Sequence, residues 1–264
     1  MIIKPAGMSE ITFTSLTDGK FLSDPNKIYV KWKNGYNVKE TNREALQELV
    51  DEMVDIYGFD PIYVKISYDP NIIDNAAYTP LAIFGNVITE EIDVGVELLK
   101  DNLNNPEKKG RDLVVSAIAH EVGHMIVMKL KLDRFRILDG ITWDSEINVY
   151  ENEACADYLA GLTMRLCRLS TEKQIEQFDT NEDDYPKYCR DKVHPGSSIR
   201  KEVFLKGYHR IDNGEEAINL NLRENTVKYD TNKVYADRRK LKNILLHDVV
   251  NPIRREKKQK YDHI

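Results

Sequence analysis

The chain has 264 residues, of which 41% are hydrophobic and 31% are charged, and its formal net charge is −6. This is the balance of an ordinary soluble globular protein, long enough to bury a core in one large domain or two small ones. The negative charge disfavours nucleic acid as a general partner, although the stretch 233–260 is basic.

Cysteine usage and hydropathy both predict a soluble, cytoplasmic protein. Cys155, Cys167 and Cys189 are odd in number and lack CxxC spacing, which argues against a disulfide framework or a thiolate zinc site. Reduced, buried cysteines are typical of cytoplasmic proteins. The opening residues, "MIIKPAGMSEITF", lack the apolar core of a signal peptide. Histidines and charged residues interrupt the long apolar stretch 113–132, so no transmembrane segment is predicted.

The first sixty residues predict β-structure followed by a helix. Residues 1–40 are rich in turn residues and short β-like runs, and they predict an N-terminal β-rich segment. Residues 41–58 predict a helix that opens with a capping box, Thr41 and Glu44, and stops at Gly58. Its apolar stripe consists of Leu46, Leu49, Val50, Met53 and Val54.

Two strands and a second helix are predicted next. The alternation in "DPIYVKISY" (60–68) predicts a strand, and "LAIFGNVITE" (81–90) predicts another with a turn or bulge at Gly85–Asn86. The stretch "EEIDVGVELLKDNL" (90–103) predicts a helix that ends before Asn105–Pro106.

Helical patterns dominate the second half of the chain. Residues 110–132 predict a long amphipathic helix, and residues 144–170 predict another, which Asp144 or Ser145 can cap. Three shorter helices are expected after Ser170, behind a turn within 194–211, and around 237–250.

Strands followed mostly by helices predict an α+β fold with a small, mainly antiparallel sheet. We divide the chain into the β-rich segment 1–40, a main domain 41–213 and a polar, basic C-terminal extension 214–264. This basic tail is interpreted as a solvated face, with docking on a membrane surface or a partner as the alternative.

The strongest functional signal is "HEVGH", residues 120–124. Residues four apart lie one turn above each other on a helix, so His120 and His124 can present two imidazole nitrogens to one metal ion. Glu121 then lies within reach of a water at the metal and is the predicted general base. Zinc suits such a site. The alternative is a pair of surface histidines, but the apolar flanks "VVSAIA" and "MIVM" predict that at least one is buried.

The segment "YENEACADYLAG" (150–161) can complete the site. In thermolysin-like enzymes the third zinc ligand is a glutamate on a separate helix, and Glu153 is predicted for this role rather than as a solvated glutamate. Asp157 shares its helix face and can hold a histidine ring through the other nitrogen. The alanines around them would let the two helices approach closely. Glu151 lies about 200° around the helix from Glu153 and is predicted to be an ordinary exposed charge.

"HEVGH" followed by "EACADYLAG" resembles the gluzincin metallopeptidases, in particular the HtpX and CAAX-prenyl-protease superfamily and the related bacterial neutral zinc metallopeptidases. The resemblance covers about residues 70–210 and implies a zincin-like domain with Glu153 as the third zinc ligand. "DNAAYTPLAIFGNVIT" is similar to the segment and edge strand that these families place beside the substrate cleft.

The same resemblance implies roles for two downstream residues, because "HPGSSIRKEVFLKG" is similar to a His-Pro…Arg segment of those families. His194 would donate to the oxyanion formed during peptide hydrolysis, and Arg200 would pair with Asp157 or brace the site. The alternative is a helix-entry turn at His194 and a surface charge at Arg200. Histidines without a motif context are expected to be structural or on the surface, namely His209, His247 and His263.

The sequence therefore predicts a zinc-dependent metalloendopeptidase with one catalytic Zn²⁺ and a peptide or protein substrate. Two alternatives remain: a non-catalytic regulatory or binding module on the zincin scaffold, and a zinc hydrolase of a non-peptide amide or ester. The intact Glu121 argues against the first, because a degenerate site would have lost the residue needed for chemistry alone. The substrate and the oligomeric state stay open.

Overall fold

The computed structural model describes nine stretches of the chain: residues 29–33, 36–40, 42–83, 86–103, 109–132, 146–166, 170–180, 195–210 and 231–255. In these stretches the protein is a helix-rich α+β structure with a three-stranded sheet and a separate two-stranded pair. The α+β class predicted from the order of the elements is thus confirmed.

The N-terminal part follows the sequence patterns closely. Strands β1 (Tyr29–Lys33) and β2 (Tyr36–Glu40) form an antiparallel pair, and helix α1 spans Asn42–Ile56. All five residues of the predicted apolar stripe are buried at 1% exposure or less. The helix ends at Ile56, two residues before the predicted stop at Gly58, and Thr41 of the predicted capping box lies outside the described residues.

The three-stranded sheet is mixed rather than mainly antiparallel. Its strands are β3 (Tyr63–Ser67), β4 (Ala76–Ile83) and β5 (Asn86–Gly95), in the order β3-β5-β4. Strand β5 is antiparallel to β4 but parallel to β3. Strand β5, the last of the three in the chain, is therefore the central strand, with β3 and β4 on its two sides.

One boundary predicted in this region is wrong, and another is right in part. The stretch 81–90 is the end of β4 and the start of β5 rather than one strand, but β4 ends at Ile83 and β5 begins at Asn86, where a turn or bulge was predicted; a register shift lies at Leu81/Ala82. The stretch 90–103 is strand as far as Gly95, and helix α2 occupies only Val96–Leu103. Pairing with strands on both sides satisfies the backbone of β5, and this outweighs the helical pattern of its side chains.

The described stretches contain five further helices, and their existence was predicted from the sequence. They are α3 (Lys109–Lys129), α4 (Val149–Leu166), α5 (Glu172–Thr180), α6 (Ser197–His209) and α7 (Thr231–Leu245). Helix α7 continues through a π-helical turn, Leu246–Val250, to residue 255. Helix α4 is central, because it packs against α3 on one side and α6 on another and also contacts the π-helical turn.

Helix α4 starts later than predicted, and a different residue caps it. The backbone N–H of Glu151 donates to Asn148 Oδ1 (3.0 Å), and the backbone N–H of Asn148 donates to Glu151 Oε2 (3.1 Å). This reciprocal arrangement is a capping box. Asp144 and Ser145, the predicted caps, lie outside the described residues.

One hydrophobic cluster joins α1, the sheet, α3, α4 and the C-terminal helix. The interpretation of the basic tail as a solvated face is wrong for α7 and its extension, because one face of this helix is buried in the cluster. The buried residues are Leu241, Ile244, Leu245, Val249, Val250 and Ile253. Within the described stretches, no helix is long and apolar enough to cross a membrane.

Helices α4 and α6 approach each other closely at Gly161. A methyl group at this position would lie 2.0 Å from the carbonyl oxygen of Phe204 on α6, which is far inside van der Waals contact. The absence of a side chain at residue 161 therefore sets the spacing of these two helices.

We predict that Gly161→Ala lowers the free energy of unfolding by about 1–3 kcal/mol, because the added methyl group must push α6 away from α4. Urea denaturation measures this change. Gly196→Ala is the matched control, since its nearest heavy atom would be Ser198 Oγ at 3.9 Å. Equal losses in the two variants would contradict the close approach as the cause.

Candidate metal centre

Helices α3 and α4 bring three potential ligand atoms together. His120 and His124 lie one turn apart on α3, and their Nε2 atoms are 3.0 Å from each other. The Glu153 carboxylate on α4 faces both rings, with 3.2 Å from Oε2 to His120 Nε2 and 3.5 Å from Oε1 to His124 Nε2. Glu153 is 8% exposed, so the cluster is largely removed from water.

The spacing and chemistry of these atoms fit a metal ion. A tetrahedral site with bonds of about 2.0–2.1 Å places neighbouring ligand atoms about 3.3 Å apart, close to the three separations of 3.0, 3.2 and 3.5 Å. Imidazole nitrogen and carboxylate oxygen are ligand types that divalent transition metals accept. His120, His124 and Glu153 could therefore hold a metal ion, as the sequence predicted.

The outer nitrogen of each imidazole faces an oxygen acceptor. His120 Nδ1 lies 2.9 Å from Asp157 Oδ1, and His124 Nδ1 lies 2.9 Å from Asn152 Oδ1. Acceptors at Nδ1 favour the tautomer that carries its proton there and leaves the Nε2 lone pair directed at the cluster centre. This orients both rings as metal ligands.

Asn152 is a contact residue of the candidate site that sequence reasoning missed. It occupies the position directly before Glu153, in the first turn of α4, and its side chain contacts the ring of His124. The available signal was this adjacency to the third ligand, because a helical residue beside Glu153 can reach the neighbouring histidine.

The predicted pair of Asp157 and Arg200 is present. Arg200 Nε donates to Asp157 Oδ2 (2.7 Å) and Nη2 donates to Oδ1 (2.8 Å), while the guanidinium lies 5.5 Å from the centroid of the Phe178 ring. Burial opposes ionisation of Asp157, but the positive charge of Arg200 outweighs it and holds the Asp157 pKa below its ordinary value. Asp157 therefore stays a carboxylate that can orient His120.

Charge coupling within the cluster opposes the effect of burial. Burial favours the neutral form of His120, but Asp157 and Glu153 outweigh it and raise the pKa of His120 to about 10. Glu153 raises the pKa of His124 in the same way. The two imidazoles in turn lower the pKa of Glu153 despite its burial. The site therefore favours positive charge next to Glu153, whether protons or a metal cation supply it.

The Glu121 side chain extends from α3 to the edge strand β4. The backbone N–H of Tyr78 donates to Glu121 Oε2 at 2.7 Å. The Gly95 N–H donates to the carbonyl of Asn75, which shows that the backbone groups of Asn75 point toward β5. Backbone groups alternate in direction along a strand, so those of residues 77 and 79 also point toward β5, and the N–H of Tyr78 points away from it. The outer edge of β4 thus borders the site and holds the Glu121 carboxylate in place.

The close approach of α3 and α4 depends on small residues. A methyl group at Gly123, within "HEVGH", would lie 2.8 Å from the Cα of Ala156. The sequence prediction that alanines on α4 let it approach the HEVGH helix, α3, closely is confirmed at this contact. A larger residue at either position would separate Glu153 from the two histidines.

Glu151 contradicts its prediction as an exposed charge, because it is only 1% exposed. It lies on the side of α4 that faces the C-terminal helix, where Arg254 pairs with it. Glu151 does lie away from His120 and His124, as its position about 200° from Glu153 predicted, but that side of α4 is also covered by protein.

The remaining predicted residues are placed as follows. His194, Cys167, Cys189 and His263 lie outside the described residues, whereas His209 and His247 are exposed, as predicted. Cys155 is a buried free cysteine, also as predicted.

No protein-family model, no curated protein and no solved structure gives a significant match to this chain.

We predict that Asp157→Asn weakens metal binding by about 10–100-fold, because a neutral amide orients and polarises His120 less well than a carboxylate. Competition with a chromophoric chelator, using Zn²⁺ as the probe, measures the affinity. Asp179→Asn is the control, because Asp179 forms an exposed ion pair with Lys201 at the α5–α6 contact. An unchanged affinity in Asp157→Asn would contradict the role of this contact.

We further predict that Zn²⁺ binding at pH 7 releases protons and that the affinity rises with pH. With a pKa of about 10, His120 is protonated at pH 7 in the metal-free protein, and the cation must displace that proton. Because the pKa of His120 is higher in the folded protein than in the unfolded chain, protonation of His120 stabilises the metal-free fold. This stabilisation is complete below pH 6.5, the ordinary pKa of histidine, and it is lost as the pH rises through about 10. Calorimetry in buffers of different ionisation enthalpy counts the released protons. A heat of binding that is independent of the buffer would contradict the prediction.

Proposed function

We propose that the protein is a zinc-dependent metalloendopeptidase of the gluzincin type. The observation that carries the proposal is the convergence of His120, His124 and Glu153 within 3.0–3.5 Å, with Glu121 next to His120 on the same helix. A metal that served only the fold would not require a carboxylate at position 121, beside the ligands.

Zinc is the metal we assign to the site. Two imidazoles and one carboxylate form the ligand set that catalytic zinc uses in peptidases of this type, with one coordination position left open. When bound, zinc would polarise the substrate carbonyl and lower the pKa of water to near 7.

Glu121 is the proton carrier in this proposal. Its carboxylate takes a proton from the water that attacks the peptide carbonyl carbon, and it passes a proton to the nitrogen as the C–N bond breaks. The hydrogen bond from the Tyr78 N–H occupies Oε2, which leaves Oε1 for this exchange. Tyr78 is itself fixed, because its hydroxyl donates to Glu90 Oε1 at 2.7 Å.

Strand β4 is the proposed position of the substrate backbone. It forms one edge of the three-stranded sheet, and its outer side adjoins Glu121. The Tyr78 N–H is held by Glu121 and Pro80 has no N–H, so an extended peptide would add to this edge mainly by donating to the outward carbonyls of β4, which would bring a scissile bond next to the metal ligands. Arg200 acts indirectly by holding Asp157, and His194 is proposed to donate to the oxyanion.

The resemblance of "HEVGH" and "EACADYLAG" to the gluzincins supports the same conclusion. The order of the ligands along the chain, the separate helix for the glutamate and an edge strand beside the metal helix agree with the zincin-like arrangement that we propose.

The experiment that tests the proposal compares wild type with Glu121→Gln. We expect the variant to bind one equivalent of Zn²⁺ with unchanged affinity and to lose nearly all peptidase activity, because the amide cannot accept the proton. Metal analysis and digestion of a proteome-derived peptide library, read by mass spectrometry, provide the two measurements. Lys201→Gln is the control for non-specific effects, because Lys201 is a partly exposed residue of α6 that pairs with Asp179.

Three outcomes separate the proposal from its alternatives. Equal cleavage by wild type and Glu121→Gln would refute the role of Glu121. Full zinc occupancy without cleavage of any library peptide would favour the binding module or a hydrolase of non-peptide amides. Failure of the wild type to bind zinc would refute the metal centre itself.

A further inference from the structure

An ion pair between Arg254 and Glu151, here called the charged clamp, joins the C-terminal helix to the side of α4 that faces away from the proposed metal ligands. Arg254 Nε donates to Glu151 Oε1 and its Nη2 donates to Glu151 Oε2, both at 2.8 Å. The same Nη2 donates to the carbonyl of Glu146 at 2.6 Å, just before α4 begins. One guanidinium therefore binds both the first turn of α4 and the segment that leads into it.

Glu151 transmits this contact to the start of the helix. While it pairs with Arg254, its Oε2 also accepts the backbone N–H of Asn148, and Asn148 caps the N–H of Glu151 in return. The next two residues in the chain are Asn152, which holds the ring of His124, and Glu153, the proposed third ligand. Any rotation or fraying of this turn would move both of them.

A second contact on the same side of α4 involves the π-helical turn. Tyr158, two turns after Glu151, donates its hydroxyl hydrogen to Asp248 Oδ2 at 3.2 Å. Residues seven apart lie on nearly the same side of a helix, whereas Glu153 is about 200° from Glu151. Helix α4 thus lies between α3 on its metal side and the C-terminal helix on the other.

Stability alone is a weak reason for the clamp. The Arg254 side chain is 48% exposed and that of Glu151 is 2% exposed, and an ion pair whose guanidinium is half in water is screened and adds little to stability. The two-point contact of a planar guanidinium with a carboxylate supplies defined geometry instead. Defined geometry is what the turn that carries Asn152 and Glu153 requires.

We propose that Arg254 is a positioning residue for the metal centre: through Glu151 it fixes the first turn of α4 so that Glu153 meets the two histidines. This inference rests on the metal site of the proposed function, but it concerns metal affinity and not peptide cleavage. It gives the C-terminal helix a role in the site although the helix supplies no ligand.

The test compares Arg254→Ala with Arg238→Ala, a matched substitution on the same helix. Arg238 donates to the Gly58 carbonyl at 3.1 Å and lies 4.4 Å from the Phe59 ring centroid, so it attaches the helix at a place away from α4. We expect Arg254→Ala to weaken Zn²⁺ binding at least tenfold and Arg238→Ala to leave it within twofold, both measured by chelator competition below their melting temperatures. Arg254→Lys keeps the charge without the two-point contact, and we expect an intermediate affinity.

A second measurement needs no metal. Hydrogen exchange of metal-free protein should show faster exchange of the amides of residues 151–153 in Arg254→Ala than in Arg238→Ala. Equal zinc affinities in the two variants, or equal exchange at these amides, would overturn the positioning role. If the wild type binds no zinc, the proposed function fails, while the exchange experiment still decides whether Arg254 fixes this turn. Should Arg254→Ala not fold, Arg254→Lys supplies both measurements.

Discussion

The contact between two imidazoles and one carboxylate at the crossing of α3 and α4 is the interaction on which the proposed chemistry depends. His120 Nε2 and His124 Nε2 lie 3.0 Å apart, and Glu153 faces both of them in a largely buried position. Such a polar cluster is unfavourable in an apolar interior unless each group is compensated. Asp157 places negative charge 2.9 Å from the outer nitrogen of His120, and Asn152 is hydrogen-bonded to that of His124, whereas a cation or protons must compensate the inner nitrogens.

The spacing of the helices therefore determines whether the side chains of the site can meet. The contact of Gly123 with Ala156 sets how closely the metal helix meets α4, and the contact of Gly161 with Phe204 sets the position of α6 on another side. Helix α6 carries Arg200, which reaches Asp157 and through it His120. A shift of about an ångström at the α3–α4 crossing would widen the ligand separations beyond what one metal ion can bridge, whereas a shift of α6 would move Arg200 relative to Asp157.

The sequence predicted relations within a helix well and relations between distant segments poorly. His120 with His124, and Glu153 with Asp157, follow from the helical period alone, because each pair is four residues apart. Glu151 was misjudged because its partner, Arg254, is 103 residues away, and a helix face opposite the ligands is not necessarily exposed. The boundary between β5 and α2 was missed for a similar reason: pairing with β3 and β4 decides it, and periodicity does not show such pairing.

Three carboxylates of α4 are buried, and the difference between their partners explains their roles. Glu151 and Asp157 each meet a guanidinium, which carries a full positive charge at every physiological pH. Glu153 faces imidazoles, whose charge depends on protonation. The pairs at Glu151 and Asp157 are thus neutral and fixed, whereas the net charge around Glu153 can change. Of the three acids, Glu153 is the one at which a cation can replace protons, and the other two hold the helix that carries it.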